Sequence, residues 1–282
     1  MIKITLKDGS VKEIESKMSI LDIAKSISEG LARLATAGEV NGEVKDLRYV
    51  VEEDCSLNIL TFESSLEGKK AYWHTTSHIM AQAVKRLFPK AKLAIGPAID
   101  DGFYYDFDVE KPFTDEDKAK IEEEMKKIIK EDLEIERFEL PRAEALKLMN
   151  DMGEDYKVEL INELPEDSII SFYKQGDFID LCAGPHLAST GKVKAIKILS
   201  SSGAYWKGNE KNKMLQRIYA ISFPKASLLE EHINMLEEAR RRDHNKLGRE
   251  LELFTTVDYI GQGLPILLPK GAKVVQLLQR MV

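Results

Sequence analysis

Trp73-His74-Thr75-Thr76-Ser77-His78 and Asp180-Leu181-Cys182-Ala183-Gly184-Pro185-His186 are the two stretches on which the reading of this chain turns. In the first, two imidazoles stand four residues apart on a helical pattern, so they share one helix face. That pattern continues through Ile79, Ala83 and Leu87 to Pro89. The second reads as a strand running into a turn, and it carries a carboxylate, a thiol and a third imidazole. Three of the 5 histidines and one of the 2 cysteines fall in these stretches. A compact polar cluster assembled from separate elements accounts for that better than scatter does. Such a cluster binds a metal or hydrolyses a bond.

Outward from the first stretch, residues 1–62 read as a small module. Ile2, Ile4 and Leu6 alternate as a strand does, Asp8-Gly9 is a hairpin turn signal, and Asn41-Gly42 is another. Ser19 with Asp22 forms a capping signature ahead of Ile20, Ile23, Ala24 and Ile27, with Gly30 closing the helix. Leu57, Ile59 and Thr61 finish on a strand, and the polar run Glu63 to Gly68 reads as a linker. The following residues, to about 225, read as a larger α+β domain. Residues 96–107 are a turn-rich entry to a strand, and Thr114 caps a helix with Ile121, Met125, Ile128 and Ile129 on its apolar face. Residues 200–208 read as a loop, with Tyr205 and Trp206 packed as core. A helix from Ser227 to Arg242 ends in the basic Arg240-Arg241-Arg242. Leu251, Leu253, Phe254, a Gly-rich turn and a helix from near Gly271 to Val282 follow; about forty residues are too few for a core of their own, so the chain is expected to break off within a domain.

Composition excludes several classes. With 43% hydrophobic and 32% charged residues over 282 positions, the chain has the make-up of a globular protein of about two domains. No apolar run reaches the length of a membrane span, and the N-terminus lacks a signal-peptide core. Two cysteines make no disulfide framework, which points to a reducing cytosol and a cytoplasmic protein. A net charge of −7 argues against an indiscriminate nucleic-acid coat but allows a local basic patch.

The grasp-like module, His74-Thr75-Thr76-Ser77-His78, Gly102-Phe103-Tyr104-Tyr105-Asp106, the 180–186 stretch, Ser202-Gly203-Ala204-Tyr205-Trp206 and Arg242-Asp243-His244-Asn245-Lys246-Leu247-Gly248 follow in the same order as in the N-terminal half of bacterial threonyl-tRNA synthetases. The chain resembles that family collinearly over essentially its whole length. The resemblance implies an α+β protein: a small β-grasp, ubiquitin-like TGS domain (1–62), an editing domain of the threonyl/alanyl type (63–225), a linker helix (226–243) and the start of a class II catalytic domain (244–282). The family's later catalytic motifs, catalytic-domain zinc ligands and anticodon-binding domain are absent. Its ligase activity, its ATP and Mg, and its dimerisation through the catalytic domain therefore belong to the full-length protein.

For this chain the resemblance implies hydrolysis of the ester of mischarged seryl-tRNA(Thr), with the serine-charged acceptor end as partner and no membrane. Serine lacks one methyl, which a binding pocket discriminates by only about 1–3 kcal/mol, so a second, hydrolytic site is required. His74 would accept a proton or orient water. Lys157 would stabilise the carbonyl or serve the leaving ribose oxygen. Asp180 would bind the serine ammonium or polarise an imidazole. His78, Tyr104, Cys182 and His186 would line the pocket. Ala183 departs from an arginine carried by some relatives, which bears on a phosphate or carboxylate contact. By ligand type, His74, His78, Cys182 and His186 also suit zinc, as in the alanyl branch, whereas the threonyl branch is expected to edit without a cofactor. A free-standing deacylase of the same fold and a non-catalytic RNA-binding or regulatory module are the alternatives.

Overall fold

The computed structural model describes residues 1–257, 261 and 263–281. The chain forms two compact units, Met1–Ala226 and Ser227–Val282. Two strands, β1 (Ile2–Leu6) and β2 (Val11–Ile14), open the first as a hairpin, and β3 (Met18–Ser19) leads into α1 (Ile20–Ile27). The expected cap is present, with Ser19 Oγ accepting from the Asp22 N–H at 3.1 Å. Gly30, expected to close this helix, lies instead inside α2 (Glu29–Leu34). Ser28 explains the difference: its backbone is extended, and its side chain accepts from the Gly30 N–H, so one residue ends α1 and caps α2.

Strands β4 (Ala35–Val40), β5 (Glu43–Lys45), β6 (Val50–Val51) and β7 (Cys55–Thr61) complete the module. Asn41 and Gly42 both have positive φ, as the tight turn between β4 and β5 requires. The sheet runs in the order β2-β1-β7-β4-β5, with β1 parallel to β7 and the other pairs antiparallel. Ile4, Ile20, Ile23, Leu47 and Leu57 form the core between sheet and helix. This is the expected β-grasp.

The run read as a linker is partly helical. Ser65 accepts from the Gly68 N–H at 2.9 Å and starts α3 (Leu66–Leu87). This helix is buried along most of its length, including Tyr72, Trp73, Thr75, Thr76, His78, Ile79 and Met80, as a central core helix must be. Its polar side chains anchor it on several sides: Trp73 Nε1 donates to the Ser222 carbonyl, Thr76 Oγ1 meets Ser222 Oγ, and Gln82 Nε2 donates to the Gln175 carbonyl while Gln175 Nε2 donates to Gln82 Oε1.

Around α3 stand β8 (Lys92–Leu93), β9 (Ala98–Ile99), β10 (Gly102–Asp108), α4 (Asp115–Glu131), β11 (Ile135–Leu140), α5 (Arg142–Asp151), α6 (Asp155–Glu163), β12 (Ile170–Gln175), β13 (Phe178–Leu181), β14 (Ala195–Tyr205) and β15 (Met214–Phe223). One sheet is ordered β14-β15-β10-β8, with β9 also on β10; another is β11-β12-β13. Thr114 and Asp117 make a reciprocal capping box for α4, and Ile121, Met125 and Ile128 are buried. Residues 200–205, read as a loop, are the second half of β14 and pair through Tyr205 with β15. The ladder to a long partner overrides the weak strand preference of Ser200, Ser201, Ser202 and Gly203. Trp206 is buried and donates to Glu159, whereas Tyr205 is 41% exposed rather than core.

In the second unit, α7 (Ala226–Arg241) is followed by Asp243, which caps α8 (His244–Glu250). β16 (Phe254–Thr256) and β17 (Pro265–Leu267) pair antiparallel, and α9 (Pro269–Met281) starts two residues before Gly271. Part of the expected Gly-rich turn, and the expected helix end at Val282, lie outside the described residues. Among the described residues no helix is long and apolar enough to cross a membrane.

Candidate functional site

Four elements bring the predicted residues together. α3 presents His74 and His78, their rings 5.3 Å apart. The segment after β13 brings His186 to within 4.3 Å of both rings. Cys182 Sγ lies 3.1 Å from His74 Nε2 and 3.2 Å from His186 Nε2. Beneath this layer α6 supplies Lys157 and β13 supplies Asp180, with Nζ 2.5 Å from Oδ1 and side chains 4% and 2% exposed. His78 Nε2 stands 3.6 Å from Asp180 Oδ2.

The His186 tautomer follows from its partners. Thr75 Oγ1 donates to the Ala71 carbonyl, so it accepts from His186 Nδ1–H at 3.2 Å, and it also accepts from the Leu187 N–H. The His74 ring donates to the Pro185 carbonyl. His186 Nε2 is therefore left as an acceptor facing the thiol, while the direction of the His74 Nε2–Cys182 Sγ contact follows the His74 tautomer. The electrostatics agree. Burial, helped by His78, pushes the His74 imidazole down to about 3. Burial pushes His78 down to about 4 against the pull of Asp180, and it holds His186 well below the usual range. Burial also pushes the Cys182 thiol up to about 12. Burial alone would raise the Asp180 carboxyl, but Lys157, His78 and the Tyr105 hydroxyl outweigh it and keep it below its ordinary value. At neutral pH the cluster holds neutral imidazoles and a neutral thiol over a carboxylate–ammonium pair. It can accept a proton from a bound water.

Tyr104 is not brought to the cluster. Successive strand residues face opposite sides, and Tyr104 lies on the side of Arg217, whose guanidinium sits 3.7 Å from its ring centroid. Its neighbour Tyr105 reaches the site: the buried hydroxyl donates to Asp180 Oδ2 at 2.6 Å and accepts from Lys157 Nζ at 3.1 Å. The alternation of Phe103, Tyr105 and Phe107 was the available signal. Asp180 meets Lys157 through Oδ1, as an ion pair, and Tyr105 through Oδ2, as a hydrogen bond; Oδ1 has no hydrogen-bond partner among the described residues. Thr75 was also missed; its place inside the histidine motif was the only hint. Ala183 is exposed.

The donor set fits zinc. One atom each from His74, His78, Cys182 and His186 lies within 4.8 Å of the others. Tetrahedral zinc, with bonds of about 2.0–2.3 Å, needs ligand atoms roughly 3.5 Å apart.

Family models match residues 2–61 to the TGS domain and residues 170–219 to the threonyl and alanyl tRNA synthetase second additional domain. Over all 282 residues the chain is 64% identical to the threonine–tRNA ligase of Clostridium perfringens (strain 13 / Type A), and it spans 43% of that relative. It is 67% identical to the threonine–tRNA ligase of Acetivibrio thermocellus over 271 residues, which are 96% of this chain and 42% of the relative. The threonine–tRNA ligase of Clostridioides difficile (strain 630) matches at 62% over 271 residues. The chain matches the N-terminal part of threonine–tRNA ligases, with a TGS domain and a threonyl/alanyl second additional domain. It spans less than half the length of these curated relatives. Asp180, Cys182 and His186 fall inside the matched 170–219 segment, while His74, His78 and Lys157 precede it in the chain and join it in space.

Proposed function

We propose that this chain carries an aminoacyl-ester hydrolase site that removes serine from mischarged tRNA(Thr), and that it forms the editing part of a cytoplasmic enzyme that, at full length, joins threonine to tRNA(Thr) using ATP and Mg. In this reading residues 1–62 are the TGS domain, 63–225 the editing domain, 226–243 a linker helix and 244–282 the start of the catalytic domain. The observation that carries it is the convergence of His74 and His186 Nε2 on one thiol, in a domain of the editing type.

His74 keeps some solvent exposure, and its imidazole is neutral at neutral pH, so one ring nitrogen is free to accept. It takes a proton from water as the water attacks the seryl carbonyl carbon. The C–O bond to the ribose breaks, and the imidazole returns the proton to the ribose oxygen. A positioned base contributes about 10²–10⁴-fold when its pKa lies near the working pH, so this step requires the bound ester and water to bring the buried His74 imidazole back up toward neutrality. His186 and Cys182 hold the water and the ester against His74. Lys157, Asp180 and Tyr105 form a buried layer beside His78 that holds the pocket's shape and field, and Asp180 Oδ1, without a hydrogen bond of its own, keeps lone-pair capacity toward the serine ammonium. The pocket rejects threonine by leaving no room for its methyl.

The donor spacing supports a second reading, in which His74, His78, Cys182 and His186 hold zinc. Bound there, zinc would lower the pKa of a coordinated water.

The test is deacylation of seryl-tRNA(Thr) and threonyl-tRNA(Thr) by the 282-residue chain, with His74→Ala and Lys157→Ala in parallel. The seryl ester alone should be cleaved, and His74→Ala should lose at least about a hundredfold in rate. Equal rates in His74→Ala, or no cleavage by the parent chain, would sink the reading. Loss of activity on chelation and its return with added zinc would favour the metal reading.

A further inference from the structure

Asp46 and Arg48 belong to the N-terminal module, just after β5, yet their side chains serve the segment that carries His186. Asp46 Oδ2 accepts from the His186 backbone N–H at 3.0 Å and from the Tyr173 hydroxyl at 3.0 Å. Arg48 Nη2 donates to the Leu187 carbonyl at 2.7 Å and the Ala188 carbonyl at 3.3 Å, and Nη1 donates to the His186 carbonyl at 3.4 Å. The two side chains are themselves paired, with Nη1 2.7 Å from Asp46 Oδ1. One ion pair thus holds three consecutive residues, 186–188, which lie outside any regular element.

Backbone groups in such a segment need partners, and β11 supplies only one of them, the Ile135 N–H donating to the Ala188 carbonyl at 2.9 Å beside an isolated Glu134–Ser189 bridge. Asp46 and Arg48 are only 10% and 26% exposed in their side chains, so the pair differs from the open surface bridges that contribute little. The hold reaches the site itself. The Tyr173 ring, anchored on Asp46, lies 4.3 Å from the His186 ring. From the opposite side Thr75 Oγ1 fixes His186 Nδ1 and the Leu187 N–H. His186 is held by its backbone from the module and by its ring from α3.

We propose that Asp46 and Arg48 are positioning residues for the hydrolytic site: the N-terminal module sets the place of His186, and through it of Cys182. The catalytic readout rests on the function proposed above; the structural readout does not. The test uses the 282-residue chain with Asp46→Ala, Arg48→Ala and Asp46→Asn, the last keeping an acceptor oxygen for the His186 N–H. Amide exchange at His186–Ala188 should quicken about tenfold or more in the alanine variants while the amides of β12 stay protected. The kcat for seryl-tRNA(Thr) should fall about 10–100-fold with KM nearly constant, because misplacing a group by an ångström has that effect on rate. Asp46→Asn should recover much of both, and it folds with the least disturbance if the alanine variants do not. Unchanged exchange at 186–188 overturns the proposal, and so does faster exchange with unchanged kcat in a chain that hydrolyses the ester. Should the parent chain hydrolyse nothing, the functional reading falls, and exchange at 186–188 alone decides whether the module holds the segment.

Discussion

Lys157 and Asp180 show how much one residue's role depends on its partners. In the sequence Lys157 is a charge in a helix like any other. In the fold its ammonium is 2.5 Å from Asp180 and 3.1 Å from the Tyr105 hydroxyl, with almost no water access. Removing one partner of such a pair strands the other charge, at a cost of about 3–5 kcal/mol. Asp180→Asn should therefore lower Tm by roughly 10 °C, on the scale of a unit this size. Asp180→Asn combined with Lys157→Met should recover much of that loss, since a neutral pair leaves no charge uncompensated. Thermal unfolding followed by circular dichroism decides the matter; a single variant as stable as the parent would refute the account.

At the scale of elements, the segment from β13 to His186 is shaped by one close approach. Gly184 has φ +78°, and a Cβ placed there would meet the Tyr173 hydroxyl at 2.1 Å. The same hydroxyl donates to Asp46, so it has nowhere to retreat. Gly9 provides the contrast, with φ +82° and nothing within 4 Å of a Cβ. Gly9→Ala bears only the conformational cost, about 1 kcal/mol. Gly184→Ala adds overpacking and should lose about 2–4 kcal/mol in all. Equal Tm shifts for the two variants would show that the contact with Tyr173 carries no strain. Strand alternation decided another element: in β10 one step along the chain separates Tyr104, beside Arg217, from Tyr105, beside Asp180.

The first unit as a whole buries three imidazoles in neutral form. Burial pushes His74 down to about 3 and His78 to about 4 in the folded chain and holds His186 well below its usual value, against 6.5 when unfolded. As pH falls from 6.5 the unfolded chain takes up protons that the folded chain refuses, so stability declines with acid. The slope approaches about 1.4 kcal/mol per pH unit for each such proton. Above 6.5 the slope fades over about one pH unit, as the unfolded imidazoles lose their remaining protons. Tm measured with a chelator present should level off with respect to these histidines above about pH 7.5 and should fall steadily from about pH 7 toward 4.5. His186→Asn should make that acid limb shallower. An acid limb unchanged by His186→Asn would contradict the buried, neutral state.

Much of this was legible in the chain. Period-2 and period-3.6 patterns, caps at Ser19 and Thr114 and the turn at Asn41-Gly42 depend on neighbours a few positions away, and they placed most elements of the grasp module and of α3, α4 and β10. The histidine and cysteine spacing pointed to a single cluster, because i and i+4 on a helix are neighbours whatever the fold. Where the reading failed, distant partners decided. Residues 200–205 became strand because β15 was there to pair with, and Tyr105 rather than Tyr104 entered the site because Asp180 and Lys157 lie on its face of β10. Asp46 and Arg48 carry no local signal at all. Their partners, His186 to Ala188, stand about 140 positions away, and only a packed chain brings those carbonyls within reach of a guanidinium. Local pattern determined which elements form and which residues could act together; tertiary contact alone determined which of them are held in place, because hydrogen bonds and buried charge depend on distances that the order of residues does not contain.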